Sequence, residues 1–296
     1  MYGVVILNYN TAQDALLAAQ SVIDNATNSD FCICVVDNAS SKANEKDILT
    51  KGIEEIPNTE LLFLDDNLGY AHGNNEGVKY LISKYDISYV VIMNPDVLII
   101  HQHTIDHLLE RLSKLDKNYC GIQPIVWTPY LGDGRMMTNI RRVPTYKDTI
   151  IEHFFLFKRV FKKAYGKSVY YKERPYDKEM DFEVPSGAFF IMRTDAFTSV
   201  DFFDEYTFLY NEELILGYKC KFKGYKFMFM PSEEVRHDGG KSIGSNAERV
   251  KWSSIKFGMQ SNRVYLKDYL HCNCIQIWLV HFLMVINFLI KKILKS

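Results

Sequence analysis

Short, continuous apolar runs alternate with segments of helical spacing through the first hundred residues. Val4 to Asn8 is a compact β-rich run, and apolar positions at helical spacing follow over residues 11–26, with Thr11 placed to cap that helix. Cys32 to Asp37 predicts a second strand, ending in the polar turn Asp37-Asn38-Ala39-Ser40. Leu61 to Leu64 predicts a third. Asn67-Leu68-Gly69-Tyr70 then leads into a helix over about 72–84, and Tyr89 to Met93 is a fourth, nearly all-apolar strand that stops at Asn94-Pro95-Asp96. Strands that are apolar on both faces and separated by helices predict an α/β fold with a mostly parallel sheet and helices on both faces. In such sheets ligands bind beyond the carboxyl ends of the strands. That rule selects Asn8-Tyr9-Asn10, Asp37-Asn38, Asn67 to Gly69, and Asp96, each of which follows a strand.

The pattern weakens over residues 130–180, which are rich in Lys, Arg and Tyr and read as an insertion or mobile loop region. Order returns at 184–230, with a strand near Gly187 to Met192, a helix from about Asn211 to Lys223 with Gly224 as its C′ residue, and a short strand from Lys226 to Met230. Ile275 to Ile290 is strongly apolar and is followed by Lys291, Lys292 and Lys295. With Gln276, His281 and Asn287 inside it, this run is short and polar for a span that needs about 20 apolar residues, and an interfacial or docking helix is the expectation.

Composition narrows the partners. At 47% hydrophobic and 14% aromatic residues the chain has material for a sizeable core. The net charge of −1 lacks the basic excess of a nucleic-acid binder, so no nucleic acid is expected as partner. The pairs Cys32/Cys34 and Cys272/Cys274 lack zinc-ribbon spacing, and Cys32 and Cys34, inside FCICVVD, read as small core residues. Free thiols and a strand-like N-terminus without a basic n-region predict a reducing cytosol and no signal peptide.

Five elements in one order carry a resemblance: VVILNYN at 4–10, VVDNAS at 35–40, NLGYAHGNNEG at 67–77, MNPDV at 93–97, and FDEYTFLYNEELILGYKCKFKGYK at 203–226. Together, over roughly residues 3–240, they resemble a family 2 glycosyltransferase with a GT-A fold, in its rhamnosyltransferase-like branch. The resemblance implies a Rossmann-like GT-A domain over 1–245, with a nucleotide-sugar-binding half at 1–100 and an acceptor and catalytic half at 184–245; the apolar run beyond it, not the resemblance, predicts a helical, membrane-associating segment at 246–296. It implies inverting transfer from a UDP- or dTDP-sugar, of rhamnose, galactofuranose or hexose type, to a glycan or lipid-linked oligosaccharide acceptor. The setting would be O-antigen or capsule assembly at the inner face of the cell membrane.

The same resemblance distributes roles. Asn8, Tyr9, Asn10, Asp37, Asn38, Asn67, Gly69, Asn75, Asn94 and Asp96 would line the donor site, where Asp37 accepts from a pyrimidine N–H; the alternative is a plain Asx turn at Asp37-Asn38. Asp96 would hold Mg²⁺ or Mn²⁺ against the diphosphate, with His237 as a second ligand. The usual Asp-x-Asp pair is Asn94-Pro95-Asp96 here, one carboxylate short, which implies weaker metal affinity. Lys241 and Ser242 are further candidates for the diphosphate. Glu213 would be the base that takes the acceptor proton, beside Glu212, whose charge would raise one of the two pKa values. The alternative is that both acids only complement a helix N-terminus. Ser186-Gly187-Ala188 would lie near the acceptor. The basic stretch around Arg141-Arg142, Lys158-Arg159 and Lys162-Lys163, with interleaved Phe and Tyr, is open to a nucleic-acid reading, but a membrane or lipid-phosphate surface suits the apolar C-terminus better, and a solvated amphipathic helix is the plain alternative. Two rival functions stand beside this reading: a sugar nucleotidyltransferase, which would need a glycine-rich basic phosphate loop after the first strand, and a non-catalytic nucleotide-sugar or glycan-binding protein.

Overall fold

The structure, a computed structural model, describes residues 1–27, 29–129, 140–171, 176–238 and 252–293. Lys241, Ser242 and the 245/246 boundary lie outside them.

Four strands form the parallel half of the sheet: β1 (Tyr2–Asn8), β2 (Phe31–Asp37), β3 (Thr59–Phe63) and β4 (Tyr89–Met93). Helices α1 (Ala12–Asn25), α2 (Glu45–Ile53) and α3 (Tyr70–Lys84) connect them. Alternation along β1 explains why these runs are apolar throughout. Tyr2, Val4 and Ile6 join the core under α1 and α2, whereas Val5 and Leu7 join the core under α3. Cys32 and Cys34 are buried free thiols in that second core, as their neighbours predict. Thr11 does sit at the start of α1, but its side chain makes no cap; Glu45 Oε2 of α2 accepts from the Ala12 N–H at 2.8 Å instead.

The second half of the sheet is mixed. It contains β5 (Val97–Ile99), β6 (Tyr119–Trp127), β7 (Met180–Phe182), β8 (Phe189–Arg193) and β9 (Lys226–His237), with α4 (Thr104–Ser113) packed over β6 and β9. The order is β3-β2-β1-β4-β8-β6-β9-β5, with β7 also on β9. β8 runs antiparallel to both β4 and β6, while β6 and β9 pair in parallel. The parallel expectation therefore holds across β3-β2-β1-β4 and gives way to mixed directions beyond β4.

Residues 140–171 form short helices, α5 (Tyr146–His153), α6 (Phe155–Val160) and α7 (Lys162–Tyr170), where a loop region was expected. Thr145 and Asp148 close a capping box on α5. After α8 (Thr194–Ser199) and α9 (Glu212–Phe222), the chain ends in α10 (Trp252–Val264), a π-helical turn (Tyr265–Tyr269) and α11 (Cys274–Ile293). Leu266, Cys272, Val280 and Met284 make a separate small core there, against Tyr146 and Ile150 of α5.

Candidate active site

Sheet register builds the first cluster. β1 and β2 pair so that Asn8 lies opposite Asp37, both at carboxyl ends. Asn8 Nδ2 donates to Asp37 Oδ1 at 2.8 Å and to Ser40 Oγ at 3.2 Å. Ser40 Oγ donates to Asp37 Oδ1 at 2.5 Å and accepts from the Asn10 N–H at 2.8 Å. Asn38 Nδ2 continues the network to Asn67 Oδ1 at 3.0 Å and to the Gly69 carbonyl at 3.2 Å. Asn8 and Asp37 are fully buried, so they organise the loop from beneath, while Tyr9, Asn10 and Asn67 are partly exposed at its mouth.

Gly69 is held at φ 101°, and a Cβ there would lie 2.2 Å from the Phe208 carbonyl oxygen. That close approach seats the loop before α9 on the start of α3, where the Tyr70 N–H donates to the same carbonyl at 3.0 Å. Asn75, one turn into α3, has both amide atoms engaged with the Phe203 backbone, donating to its carbonyl and accepting from its N–H, each at 3.0 Å, and also donates to Glu205 at 2.8 Å.

A second cluster comes from the far edge of the sheet. β5 pairs antiparallel with β9, with Val97 opposite His237. Asp96, just before β5, therefore meets His237, whose Nε2 lies 3.2 Å from Asp96 Oδ1. Asp96 is 6% exposed, and its carbonyl accepts from the Asp238 N–H at 2.9 Å. A hard oxygen donor next to an imidazole is a donor set that fits Mn²⁺ or Mg²⁺ when phosphate oxygens fill the remaining positions. His72, Glu76 and Glu205 offer three ligand atoms elsewhere, but Lys79 pairs with both Glu76 and Glu205 and offsets part of that cluster's charge.

The third cluster opens α9. Tyr210 and Asn211 both have left-handed backbones, at φ 76° and 69°, a combination that is costly for Tyr and typical of sites where local geometry is imposed. Glu212 and Glu213 follow in the first helical turn. Glu212 is 2% exposed, and its Oε1 has no hydrogen-bond partner. Burial first, and then the charge of Glu213, push the Glu212 carboxyl well above the usual carboxylate range. Burial also raises Glu213, opposed by backbone N–H groups and by the Arg141 guanidinium. Two neighbouring acids of this kind share protons as a pair.

Gly187-Ala188 lies against Glu213 and against Tyr70 and Asn94, the neighbours in sequence of the first two clusters. The Gly187 carbonyl accepts from Tyr70 OH at 2.6 Å, and the Ala188 carbonyl accepts from the Asn94 N–H at 2.9 Å. Glu213 Oε1 lies 2.0 Å from where a Gly187 Cβ would be. Gln123 Oε1 of β6 accepts from the Ser186 N–H at 2.6 Å and fixes the segment from the other side. Asn8, Asn10, Asp37, Asn38, Asn67 and Gly69 thus form one network, Asp96 and His237 a second, and Glu212 and Glu213 a third. Tyr9, partly exposed, stands at the edge of the first, and Asn75 faces the Phe203 loop. Sequence reasoning missed Ser40, Tyr70, Gln123 and Arg141.

The model of the family described as Glycosyl transferase family 2 matches residues 3–207. The N-acetylglucosaminyl-diphospho-decaprenol L-rhamnosyltransferase of Mycobacterium tuberculosis is 25% identical over 254 residues, which is 82% of this chain and 76% of that protein. Rhamnosyltransferase WbbL of Escherichia coli is 24% identical over 173 residues, covering 57% of this chain and 60% of its own. Among solved structures, the mannosyltransferase PcManGT from Pyrobaculum calidifontis, in complex with GDP-Man and Mn²⁺, superposes with a TM-score of 0.60 at 13% identity, over 99% of this chain and 73% of its own. That likeness identifies the fold as GT-A. With a family match over most of its length, the chain belongs to glycosyl transferase family 2 and is a glycosyltransferase.

Proposed function

We propose that this glycosyltransferase moves a rhamnose-type or related sugar, with inversion, from a dTDP- or UDP-sugar to a lipid-linked saccharide at the cytoplasmic face of the membrane, in cell-surface polysaccharide assembly of the O-antigen or capsule kind. The observation that carries it is the packing of Gly187-Ala188 against Glu213 and against Tyr70 and Asn94, the sequence neighbours of the other two polar clusters, beyond the carboxyl ends of β1, β2 and β4. The names of the relatives favour rhamnose and a diphospho-lipid acceptor.

In this reading the loop organised by Asn8, Asp37 and Ser40 holds the nucleoside, with Tyr9, Asn10 and Asn67 at the opening. Gly69 and Asn94 shape the donor floor, and Asn75 keeps the Phe203 loop in place. Asp96 and His237 would hold Mg²⁺ or Mn²⁺, which when bound supplies positive charge against the diphosphate leaving group. Glu213 accepts the proton of the acceptor hydroxyl as that oxygen bonds to the anomeric carbon, while the bond from that carbon to the diphosphate oxygen breaks on the opposite face. Glu212, buried beside it, favours a single shared charge at neutral pH, so the pair is a base of raised pKa. Tyr70 keeps Gly187, and hence the floor under Glu213, in position.

The test is a screen of dTDP- and UDP-sugars with Mn²⁺ or Mg²⁺, reading released nucleoside diphosphate and sugar transfer. Turnover of one donor, lost in Asp96→Ala and in Glu213→Gln while nucleotide binding survives in Glu213→Gln, supports the assignment. A chain that binds no nucleotide sugar, or Glu213→Gln turning over at the parent rate, overturns it.

A further inference from the structure

One helix presents an apolar stripe to solvent. On α11 the residues Ile275, Trp278, Leu279, Phe282 and Leu289 are 77%, 61%, 37%, 45% and 49% exposed. At 3.6 residues per turn these positions fall within one stripe about 100° wide. From Cys274 to Ile290 the sequence contains no Asp, Glu, Lys or Arg, and the exposed Lys291 and Lys292 follow directly. The opposite face is not free. Val280, Leu283 and Met284 are buried, and Val280 and Met284 pack with Leu266, Cys272 and the α5 residues Tyr146 and Ile150. Cys274–Lys292 is long and apolar enough to cross a bilayer, with a mean hydropathy of 1.8, but a helix with one face pinned to its own domain suits the interfacial plane.

The neighbouring element repeats this chemistry with charge added. Leu156, Phe157, Val160 and Phe161, at the α6–α7 junction, are all exposed, Val160 at 73%. Lys158, Arg159, Lys162 and Lys163 are exposed among them, and no acidic residue occurs from Phe154 to Tyr170. α5 connects the two elements: it packs against α6 and α7, and Tyr146 OH donates to the Gln276 carbonyl of α11 at 3.2 Å. The chain as a whole carries a net charge of −1, so this cationic surface is local. Exposed aromatics and aliphatics ringed by cations on one lobe match an anionic lipid surface in both polarity and sign.

We propose that the outer stripe of α11 and the exposed α6–α7 segment form one docking surface for an anionic phospholipid bilayer, with α11 lying in the interface. The proposal rests on the lipid-linked acceptor of the previous section for its purpose. The surface would bring the catalytic side to a substrate that never leaves the membrane.

The experiment is flotation of the full chain with phosphatidylcholine vesicles and with vesicles that also contain phosphatidylglycerol, at low and high salt. The parent protein is expected to float with the anionic vesicles, and to be released by salt. Replacing Lys158, Arg159, Lys162 and Lys163 with Gln is expected to weaken that binding by on the order of 10³-fold. Trp278→Ser with Phe282→Ser is expected to weaken it in a salt-independent way. All of these side chains are exposed, and donor binding and thermal unfolding should match the parent in both variants. Parent protein that stays in the soluble fraction, or that binds neutral and anionic vesicles equally at all salt concentrations, overturns the proposal. So does a dimer in sedimentation that Trp278→Ser with Phe282→Ser dissociates, because a second copy would then cover the stripe. Flotation with no nucleotide-sugar binding would sink the catalytic reading and leave the docking surface standing.

Discussion

Gly187→Ala is a small perturbation aimed at the position of the proposed base. The added methyl would sit 2.0 Å from Glu213 Oε1, 2.8 Å from its Cδ and 3.1 Å from its Cγ, where ordinary contact begins at 3.4 Å. No positive φ is involved at Gly187, so the whole effect is steric. Relief requires the carboxylate to retreat by more than ~1 Å, a displacement that costs about 10²-fold in rate when a reacting group is mispositioned. The crowding itself should lower stability by about 1–3 kcal/mol, as overpacked cores do. The two effects separate experimentally. Calorimetric titration with nucleotide should be close to the parent, because the Asn8–Asp37–Ser40 network does not touch the new methyl. Steady-state transfer should show the loss in kcat. In the double variant Gly187→Ala with Glu213→Asp, the shorter acid withdraws from the methyl, so Tm should recover while kcat stays low. A Gly187→Ala enzyme with parental kcat would refute the reasoning, since the carboxylate could then not be acting from the place where it is packed.

Glu212→Gln should be more stable than the parent at alkaline pH and nearly equal to it in acid. The folded-state pKa of Glu212 is raised from 4.5 to about 8, so its protonated form favours folding below 4.5, and that contribution fades as pH rises through about 8. A difference in Tm that stays flat across this window would count against the buried, unpartnered carboxyl. Asp96→Asn should abolish the stimulation of nucleotide-sugar binding by Mn²⁺ while leaving metal-free nucleotide binding intact; equal stimulation in the variant would remove Asp96 from the cation site. Asn75→Ala should destabilise the chain by about 1–3 kcal/mol in urea unfolding, because the buried Phe203 N–H and carbonyl lose their partner. A normal urea midpoint with a raised donor KM would instead put Asn75 in direct contact with the donor.

What the sequence made legible follows from how local each feature is. β4 is an unbroken apolar run, and its residues match the expectation at both ends. The polar residues after β1 and β2 were readable as site candidates because a parallel sheet aligns its carboxyl ends. β6 was not readable: Gly121, Gln123 and Pro124 interrupt its pattern, and the buried Gln123 makes sense only once Ser186 arrives to donate to it. The helices between Thr145 and Tyr170 were hidden for a related reason. Their exposed faces carry Leu156, Phe157, Val160 and Phe161, so the apolar residues do not mark a buried side. The Asp96–His237 contact depends on antiparallel pairing between strands far apart in the chain, which no local periodicity encodes. Tyr70 read as part of the turn before a helix at about 72–84, and its hydroxyl acquires a role only through Gly187.

The segment after Trp252 is joined to the chemistry as much as to any surface. The loop from Tyr206 to Asn211, which delivers Glu212 and Glu213, is held from two directions. From the sheet side, Gly69 and Tyr70 close on the Phe208 carbonyl. From the other side, Phe257 of α10 stacks on Phe208 with ring centroids 4.6 Å apart, and Ser261 Oγ donates to the Leu209 carbonyl at 2.8 Å. The π-helical turn adds a hydrogen bond from Tyr269 to Asp204, and Tyr265 OH donates to the Pro144 carbonyl at 2.6 Å, next to the segment that carries Arg141. Two consecutive left-handed residues at Tyr210 and Asn211 are costly unless their surroundings over-determine them, and this bracing does so. Two of these elements, α10 and the π-helical turn, together with α5, also support the inner face of α11. In the proposed docking mode, a force that seats α11 on a membrane is applied to the scaffold that positions Glu212 and Glu213, so the docking surface and the geometry of the proposed base share one set of contacts.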